Sequence, residues 1–363
     1  MTILKLRHHV PIGGMPRREV VDGTESTMRV SLGFEPAWFH RRCGVDFSKR
    51  WHTDPYYRHD TIVKMKQELW RAFPSVTYWN PDNRDDLWSI SGCYGVYLVP
   101  RLFGGSIQYA PDRWPVLAHT HERSLESLAN LDAKALLSGH AIGELLAQLD
   151  IIEREAGKIN GYIPEWGVLN TAFALRGQDI FLDMMDKPDL AHQFFSLICD
   201  VMIGLAQCVQ VRQRQSGFYI NFLCVANCTV NMVSPKQYYD FLFPYDKRIA
   251  ESFERFGVHT CNWNVTPYLE ALRKLPKMGY LDMGMMSDMK KVKAMFPDAR
   301  RAVFYSPVKL QDAPLEEIRI DLTKIYEELA PCDVAMANIQ STTPDSRVNE
   351  FLDICRALEE NDR

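Results

Sequence analysis

MVSPKQYYDFLFPYDKRIAESFERFGVHTCN, residues 232–262, carries a helix signal and a strand signal back to back. Ser234 offers a side-chain oxygen that can cap a helix, and Pro235 fits the first turn, where a missing amide costs nothing. The pattern up to Phe256 is helical, and the short β-branched run GVHTCN that follows predicts a strand over 257–262. Helix followed at once by strand is the repeating unit of a parallel sheet.

The same rhythm runs outward from this unit. Apolar or β-branched runs predict strands near 75–80, 95–100, 161–166, 218–226, 280–284, 300–307 and 333–340 as well. Between them lie helical patterns, among them a long amphipathic stretch from Asp186 closed by Gly217, and a second from Thr266, with Pro267 at its first turn. Alternation of this kind favours right-handed crossovers in a parallel α/β sheet. With 257–262 the predicted strands fit a (β/α)8 TIM barrel over residues 71–363, with residues 1–70 as an N-terminal extension or lid. An open doubly wound sheet is the alternative, but no G-x-G-x-x-G or P-loop segment follows any predicted strand.

Composition narrows the function classes. A chain of 363 residues with 46% hydrophobic and 24% charged residues can bury one large core. A net charge of −4, with no long run of like charges, argues against nucleic acid or an anionic membrane as partner. The start of the chain has no apolar signal-peptide region, and no stretch approaches a membrane span of uninterrupted apolar residues, so a cytoplasmic protein is expected. Nine scattered cysteines in a reducing compartment are expected to be free, buried or metal-bound rather than paired in disulfides.

In a barrel of this class the chemistry sits at the carboxyl ends of the strands. Residues two apart on a strand face the same side, so His259 and Cys261 are both expected in the mouth. Imidazole nitrogen and thiolate sulfur suit zinc, which keeps one open position when it is catalytic. Glu165, Cys228, Asp282, Tyr305, Asn338 and Gln340 also fall at predicted strand ends. Tryptophans and tyrosines cluster near turns and strand ends, either as amphipathic edges of the core or as a mouth shaped for a flat apolar ligand. Trp51, His52, Trp166, Trp263 and Asn338 are the candidate substrate contacts, with Trp51 and His52 in WHTDPYYRHD, a segment that reads equally as a lid or as a solvated turn.

Residues 166–202, WGVLNTAFALRGQDIFLDMMDKPDLAHQFFSLICDVM, resemble the Leu-Arg-Gly, Asp and Pro segment of the uroporphyrinogen decarboxylase superfamily. Residues 232–262 are similar to that superfamily's Ser-Pro, Tyr and Pro-Tyr segment leading into His-x-Cys, and the likeness continues to TTPDSRVNEFLDICRAL at 342–358. The Arg-Gln-Ala-Gly-Arg-type stretch of true uroporphyrinogen decarboxylases has no match here. His259 and Cys261 match instead the corrinoid (cobalamin)-dependent methyltransferase branch, which carries His-x-Cys and a later cysteine around zinc. The later cysteine is replaced: counting back from Pro344 reaches Ala337, with Asn338 beside it. Cys332 lies too early on its strand, which leaves Cys228 or Glu165 to complete the metal shell.

The resemblance implies a methyltransferase that moves a methyl group from a small donor, best a methoxylated aromatic, to the Co(I) of a separate corrinoid protein. The chain has no D-x-H-x-x-G segment of its own to hold a corrinoid. Zinc held by His259, Cys261 and Cys228 is then expected to polarise the ether oxygen; failing a metal, Glu165 or Tyr305 is expected to donate the proton, with Asp282 as a further catalytic group. The alternatives are a metal-free decarboxylase and a methyltransferase running from methylcorrinoid to a thiol or folate. A homodimer is also implied by the resemblance.

Overall fold

The computed structural model describes residues 27–360, apart from residues 85, 119–122 and 164 and the side chain of Glu165. The strands are β1 (Met28–Phe34), the hairpin pair β2 (Ile107–Ala110) and β3 (Arg113–Leu117), and then β4 (Glu165–Trp166), β5 (Phe222–Ala226), β6 (Arg255–His259), β7 (Met278–Met283), β8 (Arg300–Phe304) and β9 (Cys332–Ile339). Seven of them form one sheet in the order β1-β9-β8-β7-β6-β5-β4, with every neighbouring pair parallel. An isolated parallel bridge between Ser89 and Asn160 lies just before β4. The class is the expected α/β one, a TIM-barrel-like parallel sheet wrapped by helices.

Parallel pairing brings all carboxyl ends to one edge of the sheet. The register pairs Ala226 with His259, Val258 with Leu281, and Met283 with Val303, so the loops after β5, β6 and β7 emerge side by side. Most strand residues are buried on both faces, as a helix-covered parallel sheet requires. The opposite edge is fastened by charge. Asp333 on β9 accepts from Arg29 on β1 at 2.6 Å and from Arg300 Nε on β8 at 2.9 Å, all three side chains being buried. That end reads as stability, and it leaves the carboxyl edge for chemistry.

Two of the strand expectations and the domain boundary need correction. Residues 77–79 form a 3-10 turn instead of a strand, because Trp79 is buried against Phe34 and Phe73 without any ladder. Leu98–Leu102 is a helix, with Pro100 in its first turn, because a short apolar run does not by itself distinguish a buried strand from a buried helix. Conversely, β1 lies inside the segment assigned to the N-terminal extension, so the sheet starts at Met28 and a boundary at residue 70 does not separate extension from barrel. Residues 1–26 lie outside the described ones.

The helix expected from Ser234 starts with a full capping box between Ser234 and Gln237, passes through a π turn at Tyr238–Leu242 and continues as Phe243–Glu251. Two stretches, Ala133–Ala156 and Pro188–Gln215, are long and apolar enough to cross a bilayer by composition. The second buries Phe194, Phe195, Ile198, Met202 and Leu205 in the core, which accounts for its apolar content.

Candidate metal centre

His259 is the last residue of β6 and Cys228 stands two residues beyond β5. Cys261 follows in the loop after β6, so it is a left-handed backbone at φ 58°, and not strand alternation, that turns its thiol back toward the histidine. An L-residue held in this region carries a cost of about 1–2 kcal/mol, which a ligand position can justify. Sγ of Cys261 lies 2.8 Å from Sγ of Cys228 and 3.1 Å from Nε2 of His259. The three donor atoms all fall within 4.8 Å of one another, a nitrogen and two sulfurs grouped at the carboxyl edge.

The histidine is prepared for that role from behind. Its Nδ1 lies 2.5 Å from Asp282 Oδ2, which directs the other nitrogen, Nε2, toward the thiols. Asp282 is fully buried on β7 and is itself held: it accepts the Thr260 amide at 2.6 Å on Oδ1 and the Tyr280 hydroxyl at 2.9 Å on Oδ2. The Thr260 hydroxyl donates to the Asp282 carbonyl at 2.6 Å. The Phe304 ring packs on the imidazole with centroids 5.3 Å apart. A carboxylate behind a histidine is the usual partner of a zinc-binding imidazole, since it fixes the tautomer and raises the basicity of the ligand atom. Two sulfurs, one nitrogen and a supported tautomer fit a catalytic zinc with one open position.

The other sequence candidates divide. Cys228, one of the two proposed third ligands, is brought in, whereas the Glu165 side chain lies outside the described residues and only its backbone, in β4, is placed. Asp282 is confined behind the histidine, so it positions a ligand and does not meet a substrate. Tyr305 is corrected outright: it is buried, its hydroxyl donates to Asp321 at 2.9 Å on the helix layer, and burial together with Asp321 pushes its pKa far up. It is no proton donor for the mouth. Cys332 sits at the amino end of β9, fully buried, with its thiol pushed up to about 12 by burial, and so stays away from the donor cluster.

Trp51 and His52 are also core residues rather than substrate contacts. His52 Nδ1 accepts the Tyr94 amide at 3.0 Å, its ring packs on Trp51 and Tyr109 at 5.0 Å each, and burial with the neighbouring Arg58 charge lowers its pKa to about 3. The segment WHTDPYYRHD is therefore the end of one short helix, Lys49–Thr53, and the start of a long one, Pro55–Ala72. Trp166 stays half-buried at the end of β4 against Tyr97 at 4.6 Å, and Trp263 lies in the loop after β6 against Tyr268 at 5.0 Å. Asn338 is exposed near the carboxyl end of β9 with φ 59°, a region asparagine tolerates.

Sequence inspection missed Glu35. It follows β1 directly, its amide donates to the Ile339 carbonyl at 2.9 Å, and its half-buried carboxyl is raised in pKa by burial while accepting from Trp114 of β3. The signal was present in the alternation of Met28, Val30, Leu32 and Phe34, which marks a strand ending at an acidic residue.

Comparison with known proteins agrees with this architecture. No curated protein sequence matches the chain. A methyltransferase from Methanosarcina mazei has the same fold, with a TM-score of 0.62 and 17% sequence identity over 96% of this chain and 95% of that one. The profile of the uroporphyrinogen decarboxylase (URO-D) family matches residues 90–328, well over half the chain. The chain belongs to the uroporphyrinogen decarboxylase family.

Proposed function

We propose that this protein is a cytoplasmic, zinc-dependent methyltransferase that takes the methyl group of a methoxylated aromatic and passes it to the Co(I) of a separate corrinoid protein. The observation that carries this is the convergence of Cys228, Cys261 and His259 Nε2 at the carboxyl edge, with Asp282 on the far side of the imidazole. Bound there, zinc supplies a Lewis acid for the ether oxygen.

The protein's own residues do the rest. Cys228, Cys261 and His259 present the donor set, and Asp282 keeps the His259 proton on Nδ1. Trp166, at the end of β4, and Trp263, two residues beyond Cys261, are the rings assigned to the aromatic substrate. When the methyl–oxygen bond breaks, both its electrons stay on the oxygen and the methyl leaves for the cobalt. The aryloxide then takes a proton, and a phenol of pKa about 10 makes this a tolerable departure. Glu35, at the carboxyl end of β1 with its pKa raised by burial, is the acid assigned to that oxygen.

The test is anaerobic incubation of the purified chain with a methoxyarene and a reduced corrinoid protein, following phenol release and the cobalt spectrum together. Phenol formed in step with cobalt methylation supports the assignment; phenol formed without any corrinoid protein contradicts it. The donor set also favours one second reading. A cysteine-rich zinc site activates thiols, so transfer from a methylated corrinoid to a thiol acceptor fits the same three ligands. Demethylation of the corrinoid protein by a thiol, with methoxyarenes inert, would select that direction.

A further inference from the structure

Behind Cys228 lies a polar network buried within the sheet–helix interface. Asp246, on the helix Phe243–Glu251, is buried, and its Oδ2 accepts two hydrogen bonds, from Asn227 Nδ2 at 2.8 Å and from the Tyr238 hydroxyl at 2.8 Å. Asn227 immediately precedes Cys228, and its backbone amide donates to the carbonyl of His259 at 2.7 Å. Its Oδ1 is pressed against Gly167: a Cβ on that glycine would come within 1.9 Å of it. Asn227 is thus tied by hydrogen bonds through its backbone amide and its side-chain amino group, and packed against Gly167, between two residues that supply metal ligands.

We infer that Asp246, held by Tyr238 and acting through Asn227, is the positioning residue that sets the Cys228 thiol against His259 and Cys261. This rests on the metal-centre assignment above. The helix geometry is arranged for it. Eight residues along a regular α-helix would leave Tyr238 and Asp246 well off a common face, and the extra residue of the π turn at Tyr238–Leu242 brings them back onto one. The chemistry suits it too. An ionised carboxylate accepts from both partners, whereas an apolar side chain would leave the Asn227 amide and the Tyr238 hydroxyl buried without acceptors. Burial pushes Asp246 up to about 6, still below neutrality, so the acceptor form prevails at pH 7.

The experiment uses full-length protein carrying Asp246→Asn or Tyr238→Phe. Three properties are read beside thermal stability: affinity for zinc by competition with a chromophoric chelator, the visible spectrum with Co(II) in place of zinc, and the rate at which diamide oxidises Cys228 and Cys261 to a disulfide in the metal-free protein. Asp246→Asn is expected to weaken zinc about 10- to 100-fold, the range for residues that orient ligands from behind, to shift the Co(II) bands and to slow the cross-link. Tyr238→Phe, which removes one of the two donors, is expected to give a smaller change in the same direction. Wild-type affinity, spectrum and cross-linking rate in both variants, with only a lower melting temperature, would overturn the inference. Should the wild type bind neither metal while Asp246→Asn still slows the cross-link, the positioning role stands and the metal assignment fails.

Discussion

Asp282 Oδ2 lies 2.5 Å from His259 Nδ1, across the β6–β7 pair, and this contact determines which imidazole nitrogen faces the two thiols. Removing it leaves the histidine in place without its preferred tautomer or orientation. Asp282→Ala is expected to weaken zinc about 10- to 100-fold, and Asp282→Asn less, since the amide oxygen still accepts from Nδ1. Equilibrium competition with a chelator measures both, and an unchanged affinity in Asp282→Ala would remove the aspartate from the metal centre.

Gly284 follows β7 where the backbone of Asn262 passes: a Cβ there would lie 1.8 Å from the Asn262 carbonyl oxygen. Backbone cannot yield as a side-chain tip does, so Gly284→Ala must displace the loop that carries Cys261. The expected result is a loss of about 1–3 kcal/mol in unfolding free energy, from forced overpacking, together with weaker metal binding. Denaturant unfolding and metal titration of the same sample check the two halves.

Tyr305 and Glu35 make opposite predictions for the proton. Tyr305→Phe is expected to cost about 1 kcal/mol of stability, through the lost bond to Asp321, and to leave turnover unchanged. Glu35→Gln is expected to slow demethylation about 10²- to 10⁴-fold, most for methoxyarenes whose phenols are the weakest acids. In the wild type the rate falls as pH rises through the Glu35 pKa, because the acid must be protonated, and this limb is absent from the variant. Initial rates against pH for a series of ring substituents decide it.

Asp246 gives the stability of the fold a pH signature. Its folded-state pKa, about 6, exceeds the ordinary aspartate value of 3.8, so the folded chain holds its proton more tightly than the unfolded one. That stabilisation is complete below about pH 4 and is lost as pH rises through 6. Relative to Asp246→Asn, the wild type is expected to lose about 3 kcal/mol across this window, a magnitude that follows from about 1.4 kcal/mol per pKa unit. Urea unfolding of both proteins at several pH values measures the difference.

Much of the fold was legible because β5 to β9 are short, mostly apolar runs separated by helical patterns, some of them opened by capping residues such as Ser234, Asp288 and Ser306, so local and global preferences agree. Where burial came from tertiary packing the sequence pattern misled. Trp79 and Leu98 look like strand residues because they are apolar, and they are apolar because they pack under helices and aromatic rings. The His259–Cys261 pair was visible as a motif, and Cys228 as one of two ways to complete it. The roles of Asp282 and Tyr305 were not visible, since both stand at a strand end and only the direction of the side chain separates a residue behind a ligand from one turned to the helix layer. Asn227 and Asp246 carry no motif at all; their relation exists only once β5 and the helix after it are packed.

The most direct test of the metal centre is the zinc content of protein purified without chelator, for the wild type and for His259→Ala, Cys261→Ser and Cys228→Ser. The structure predicts close to one zinc per chain in the wild type and a marked loss in each of the three variants. A folded wild type without zinc, or a Cys228→Ser variant that keeps the full complement, would contradict the three-ligand centre on which the proposed chemistry depends.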